Sequence, residues 1–166
     1  MIIDRRSATL LIAAAASTAG LRQAAAQTVN AALLPGSWRL TGVYDLFEDG
    51  SRRETWGAKP MGLIQLTPGG LFSAQIMAGD RVPRQGGVPS DPVGPSIAYW
   101  GRYRLDAAAG SFTTEVEQSS WPAWNGATIR RSIAELTPQR LKVVADPIRD
   151  PVRGPFRPHL EFERLE

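Results

Sequence analysis

The chain of 166 residues contains no cysteine and a single histidine, His159. Without cysteine there is no disulfide framework, no thiol nucleophile and no thiolate zinc site. One imidazole and no G-x-S-x-G sequence leave a Ser-His-Asp hydrolase without its base and its nucleophile elbow. Strand alternation puts His159 beside Glu161 and Glu163 on an outer face, where it reads as a surface residue. Gly69-Gly70 and Gly86-Gly87 lack the following helix that a phosphate-cradling loop needs, so no nucleotide site is expected. Asp45, Glu48 and Asp49 fall on a hairpin and read as solvated turn residues, not as a calcium loop. No metal and no cofactor is expected.

Long apolar runs are also missing beyond the N-terminus. Residues 1–26 differ in composition from the rest: Asp4-Arg5-Arg6-Ser7 gives a charged start, Ala8 to Leu21 an alanine-rich apolar run too short to span a bilayer, and Ala24-Ala25-Ala26 small residues suited to a signal peptidase. The order is that of an export signal. The Arg5-Arg6 pair beside a weakly hydrophobic segment resembles a twin-arginine signal, while Ala8, where an aromatic residue or leucine is usual, leaves an ordinary secretory signal open. Either route predicts a domain of residues 27–166, exported to the periplasm or the extracellular space and retaining no integral membrane segment after cleavage. Removing Arg5, Arg6, Arg22 and Asp4 from the 19 basic and 16 acidic residues leaves a net charge of about +1. Nucleic-acid binding, which needs a sustained basic face, is not expected.

What remains is rich in punctuation. Gly and Pro recur roughly every eight to twelve residues, the spacing of a strand-rich single domain. No segment after Ala32 keeps a helical apolar period over three turns. Nine strands are predicted, at 37–47, 52–57, 61–67, 71–77, 97–106, 111–118, 127–136, 140–145 and 159–164, with no proline inside any of them. Tight turns at Glu48-Asp49-Gly50-Ser51, Pro68-Gly69-Gly70, Ala109-Gly110 and Thr137-Pro138-Gln139 make neighbours antiparallel. The fold class is therefore all-β: a single closed or nearly closed antiparallel up-and-down barrel of about eight or nine strands. A barrel of that size encloses a packed core or one small ligand. The stretch from Ala78 to Ser96, carrying Pro83, Pro89, Pro92 and Pro95, is long enough to be a lid, a binding loop or a plain surface excursion.

Alternation assigns faces. Trp38, Leu40, Gly42, Tyr44 and Leu46 share the inner face of the first strand, with Trp38 plugging the closed end. Ile97, Tyr99, Gly101, Tyr103 and Leu105 point inward, as do Phe112, Thr114, Val116 and Gln118. The segment from Met61 to Met77 is apolar on both faces, so its outer side is offered to the long loop, to the C-terminal segment or to a second copy of the chain in a homodimer. Arg131, between Ile129 and Ile133, looks inward, where a guanidinium needs a carboxylate, a set of carbonyls or an anionic ligand. Trp121 and Trp124, flanking Pro122, form either an aromatic rim at the barrel mouth or a cap on its core.

Several segments together resemble the small lipocalin-like domain family of bacteria and fungi. They are Gly36-Ser37-Trp38-Arg39-Leu40, the run from Gly62 to Met77, Tyr99 to Asp106, Val116 to Gly126, Arg131, and Leu141-Lys142-Val143. The resemblance spans nearly the whole exported part and implies a calycin-type barrel. Members often carry tyrosine where Gln65 stands and histidine near Thr114, and no catalytic residue is carried over. The expected function is binding of a small apolar or amphiphilic molecule in the lumen, with Gln75, Tyr99, Tyr103, Thr114, Gln118, Trp124 and Arg131 as the contacting residues. An isomerase or cyclase using Tyr99, Tyr103 and Arg131 in the same pocket is the second reading. A barrel with a filled core acting through its outer surface is the third.

Overall fold

The computed structural model describes residues 28–82, 86–88 and 94–166. The export signal at residues 1–26, and with it the division of the chain at residue 27, lies outside the described residues, as do parts of the 78–96 loop. Among the described residues ten strands are present: β1 (Gly36–Phe47), β2 (Arg52–Arg53), β3 (Met61–Leu66), β4 (Leu71–Met77), β5 (Ser96–Asp106), β6 (Ser111–Ser119), β7 (Thr128–Leu136), β8 (Arg140–Ala145), β9 (Ile148–Asp150) and β10 (Gly154–Arg164). The sheet runs β2-β1-β3-β4-β5-β6-β7-β8-β10-β9, and β1 also pairs with β10. Eight strands thus close into an antiparallel barrel with no free edge, and β2 and β9 are short additions at one end.

The strand at 52–57 shrinks to Arg52–Arg53, because Glu54 to Gly57 turn, with Gly57 N–H donating to the Glu54 carbonyl at 3.0 Å. The last strand is longer than expected and includes two prolines. Pro158 lies in the gap between the β9 ladder, which ends at Phe156, and the β8 ladder, which begins at His159, so its missing N–H is not required there.

Three bulges control which side chains face the lumen. Leu40 pairs with Phe162 and Gly42 with Glu161, leaving Thr41 extra in β1. Glu117 is extra in β6 and Ala134 in β7. Each extra residue reverses the alternation beyond it. In β1 the inner face therefore passes from Trp38 and Leu40 to Val43, Asp45 and Phe47, all buried, whereas Tyr44 and Leu46 turn outward. Opposite the β6 bulge stands Gly101, where a Cβ would lie 1.9 Å from the Glu115 carbonyl oxygen. Only glycine permits that approach.

One end of the barrel is closed by Trp38, which is fully buried and donates from Nε1 to the Leu34 carbonyl at 3.0 Å. A short helical turn, Ala31–Leu33, leads into the buried Leu34 that accepts this bond. The Arg164 guanidinium stacks 4.0 Å from the centre of the Trp38 ring and donates to the carbonyls of Leu33, Pro35 and Pro138. Above it, Leu66, Phe72, Phe112, Leu141, Val143 and Phe162 fill the lower lumen. On the outside, Met61 and Leu71 remain 52% and 41% exposed, while Arg81 at the start of the long loop donates to Met77 Sδ at 3.0 Å, so the described residues cover the apolar outer side of β3 and β4 only in part.

Candidate functional site

The upper half of the lumen is open. A cavity of 620 Å³ lies at the end opposite Trp38, within the range of small-molecule pockets. The lumen is accordingly neither empty nor filled: aromatic packing occupies its lower half, leaving a residual void of 10 Å³ beneath the cavity floor. Val43, Ile76, Ile97, Ile129, Phe156 and Leu160 supply apolar wall. Tyr99 packs edge-on to Trp124 with ring centroids 5.2 Å apart and at 5.4 Å from Phe72, linking the cavity wall to the core below.

The residues expected from sequence separate into three groups. Tyr99, Trp124 and Arg131 line the cavity, and Thr114, fully buried, borders the small void under it together with Arg131 and Tyr99. Tyr103 points inward but toward the closed end, where its hydroxyl donates to the Thr67 carbonyl at 2.8 Å, and burial raises its pKa. Gln75 and Gln118 are exposed on the outer surface and do not reach the lumen. The inner residues of β4 are Phe72, Ala74 and Ile76, which puts Gln75 on the opposite face. Gln118 lies beyond the Glu117 bulge, where the faces of β6 exchange.

Arg131 occupies the floor, bordering both the cavity and the void. Its Nη1 donates to the Arg130 carbonyl at 3.1 Å, and among the described residues no carboxylate pairs with it. The guanidinium therefore keeps most of its donor capacity for something placed in the cavity.

Sequence reasoning missed the polar cluster at the mouth. Asp45 was expected in solvent, but the Thr41 bulge turns it inward, where it is 3% exposed and lines the cavity. Its Oδ2 accepts from Thr55 Oγ1 at 3.0 Å and from Arg153 Nη1 at 3.4 Å. Arg153 is itself held by Asp150 at 3.1 Å and by the Phe156 ring, 4.4 Å from its centroid. Burial raises the Asp45 pKa, and the Thr55 hydrogen bond and the Arg153 charge oppose that rise. An acidic residue two positions before the end of a strand that starts with an inward tryptophan was the available signal, but it is readable only once the bulge is known.

His159 stays on the outer side, stacked on Tyr44 at 4.8 Å and 12°, with the Arg52 guanidinium 3.8 Å from the Tyr44 ring centroid. Burial lowers its pKa, and it does not line the cavity. The base of the long loop is tied by the Ala78 amide to the Pro95 carbonyl at 3.0 Å, and Pro95 borders the cavity mouth. The lid reading of the rest of that loop falls partly outside the described residues.

The model of a family described as "Lipocalin-like domain" matches residues 35–146. No curated protein matches the chain. Among solved structures, a redesigned β-barrel is 16% identical, with a TM-score of 0.42, covering 81% of this chain and 94% of its own. EF1p2_mFAP2b bound to DFHBI is 15% identical, with a TM-score of 0.45, covering 85% of this chain and 99% of its own.

Proposed function

The chain belongs to the lipocalin-like domain family, and from that premise we propose that it is an exported binding protein for a small amphiphilic molecule with an acidic or carbonyl group. The observation that carries this reading is the 620 Å³ cavity, largely apolar in its walls, with a guanidinium on its floor that forms no ion pair with a carboxylate among the described residues. Apolar walls supply affinity through burial, about 25 cal/mol per Å² removed from water. Arg131 fixes orientation through bidentate, charge-assisted hydrogen bonds. Export rests on the charged start, apolar run and small-residue site of residues 1–26. Protein recovered from the cell envelope should begin near Gln27, and an intact Met1 on cytoplasmic material alone defeats that part of the proposal.

Decanoate and decanol, which share an apolar tail and differ at the head, test the binding reading by titration calorimetry. The wild-type protein should prefer decanoate, and Arg131→Met should reduce decanoate affinity by about 1.5–3 kcal/mol, roughly 10- to 150-fold, while leaving decanol unaffected. A variant that melts earlier but binds both probes as before makes Arg131 a structural tie. Failure of both probes to bind removes the function.

A further inference from the structure

We infer that Asp45 is a second polar anchor of the same cavity, so that the ligand is bifunctional: an acid or carbonyl group at Arg131 and a hydroxyl or N–H donor at Asp45. This rests on the binding function proposed above. The ladder places the two residues on one rung of the barrel. Asp45 in β1 lies opposite Pro158 in β10. His159 lies opposite Val144, so Pro158 lies one step on from that pair, facing Ala145, and Ala145 in β8 lies opposite Arg131 in β7. All four residues line the cavity.

Between the two anchors stand only a proline and an alanine, side chains too short to block the space above them. Three strand spacings of about 4.8 Å separate the two backbones, a path of roughly 14 Å along the wall that the inward-reaching side chains shorten. Asp45 has acceptor capacity to spare. Both its protein contacts fall on Oδ2, from Thr55 and Arg153, and among the described residues no donor is bonded to Oδ1. Arg153, fixed in turn by Asp150 and Phe156, offsets the charge, so a neutral donor completes the carboxylate's hydrogen bonding without requiring a ligand cation.

Linear ω-hydroxy acids of six to twelve carbons, each compared with the unsubstituted acid of equal length, read this out by calorimetry. Burying a hydroxyl in an apolar cavity without a partner weakens binding. An anchor at Asp45 reverses that sign. At the chain length that spans the two residues, the hydroxy acid should bind roughly 10-fold or more tightly than its parent acid. Asp45→Asn, which keeps the shape and loses the charge, should shrink that advantage, read as the ratio of hydroxy-acid to parent-acid affinity within the same variant, about threefold or more. Hydroxy acids that bind no better than parent acids at every length overturn the second anchor even where Arg131-dependent decanoate binding persists. Should no acid bind at all, the proposed function falls and this inference with it. The wild-type comparison decides the matter even if Asp45→Asn does not fold.

Discussion

Asp45 and Arg131 show how differently two charged residues can be read from one sequence. Arg131 sits between Ile129 and Ile133 in a stretch with no irregularity before it, so simple alternation turns it inward, where the structure has it. Asp45 lies four residues past an extra residue, and the same rule turned it outward. The consequence for stability is testable. Burial raises the Asp45 carboxyl pKa above its ordinary value of 3.8, outweighing the opposing Thr55 hydrogen bond and Arg153 charge. For a group whose folded pKa exceeds its unfolded one, the proton is held more tightly by the native state. Its stabilising contribution is complete below the unfolded value and is lost as pH rises through the folded one. Asp45→Asn mimics the protonated form at every pH. The melting temperature of the variant relative to wild type should therefore rise between pH 3 and pH 7. A relative fall over that interval would mean that Arg153 more than compensates for burial.

At the level of strands, most of the barrel was legible because period-two patterning and turn chemistry are local signals. Residues such as Pro68-Gly69-Gly70 and Thr137-Pro138-Gln139 mark the reversals directly, and the Thr67 and Thr137 side chains hold those turns by accepting amide hydrogen bonds at 3.0 and 2.9 Å. Bulges are not local. The extra residues Thr41, Glu117 and Ala134 are defined by the strand opposite, and nothing in their own chemistry announces them. Two site residues were misplaced or missed for this reason, Gln118 by the bulge in β6 and Asp45 by that in β1. Gly101 carries the one trace in sequence: a glycine on the inner face of a strand otherwise built from Ile97, Tyr99, Tyr103 and Leu105 marks a place where another backbone comes close. Gln75 is a different case. Its strand is regular, and its inward assignment conflicted with the buried faces of Phe72, Ala74 and Ile76, where large apolar side chains take precedence. The prolines of β10 hid the upper half of that strand, and with it Phe156, Leu160's neighbour Pro158 and the Arg153 turn.

Across the whole molecule, the packed core and the open cavity occupy opposite ends. The Trp38 end is sealed by an aromatic core and by Arg164, whereas the mouth is built from turns and the short strand β9, which bear Trp121, Val152 and Ile148, 60%, 91% and 41% exposed. This division predicts that damage at one end leaves the property of the other intact, since distant sites that share no partners act additively. Arg164→Met retains the aliphatic stem over Trp38 but removes a cation–π contact, worth about 0.5–2 kcal/mol, and charged hydrogen bonds to Leu33, Pro35 and Pro138, about 1.5–3 kcal/mol each when measured singly. These contributions overlap, and a net loss of about 3 kcal/mol, lowering the melting temperature by roughly 10 °C, is the expected outcome in thermal denaturation. Decanoate affinity measured well below that melting point should stay within about twofold of wild type, because the cavity walls and Arg131 do not touch Arg164. Arg131→Met should give the converse pattern. If Arg164→Met weakens decanoate binding as much as Arg131→Met does, the aromatic stack from Phe112 through Phe72 to Tyr99 transmits the loss of the seal to the cavity, and the two ends form a single cooperative unit.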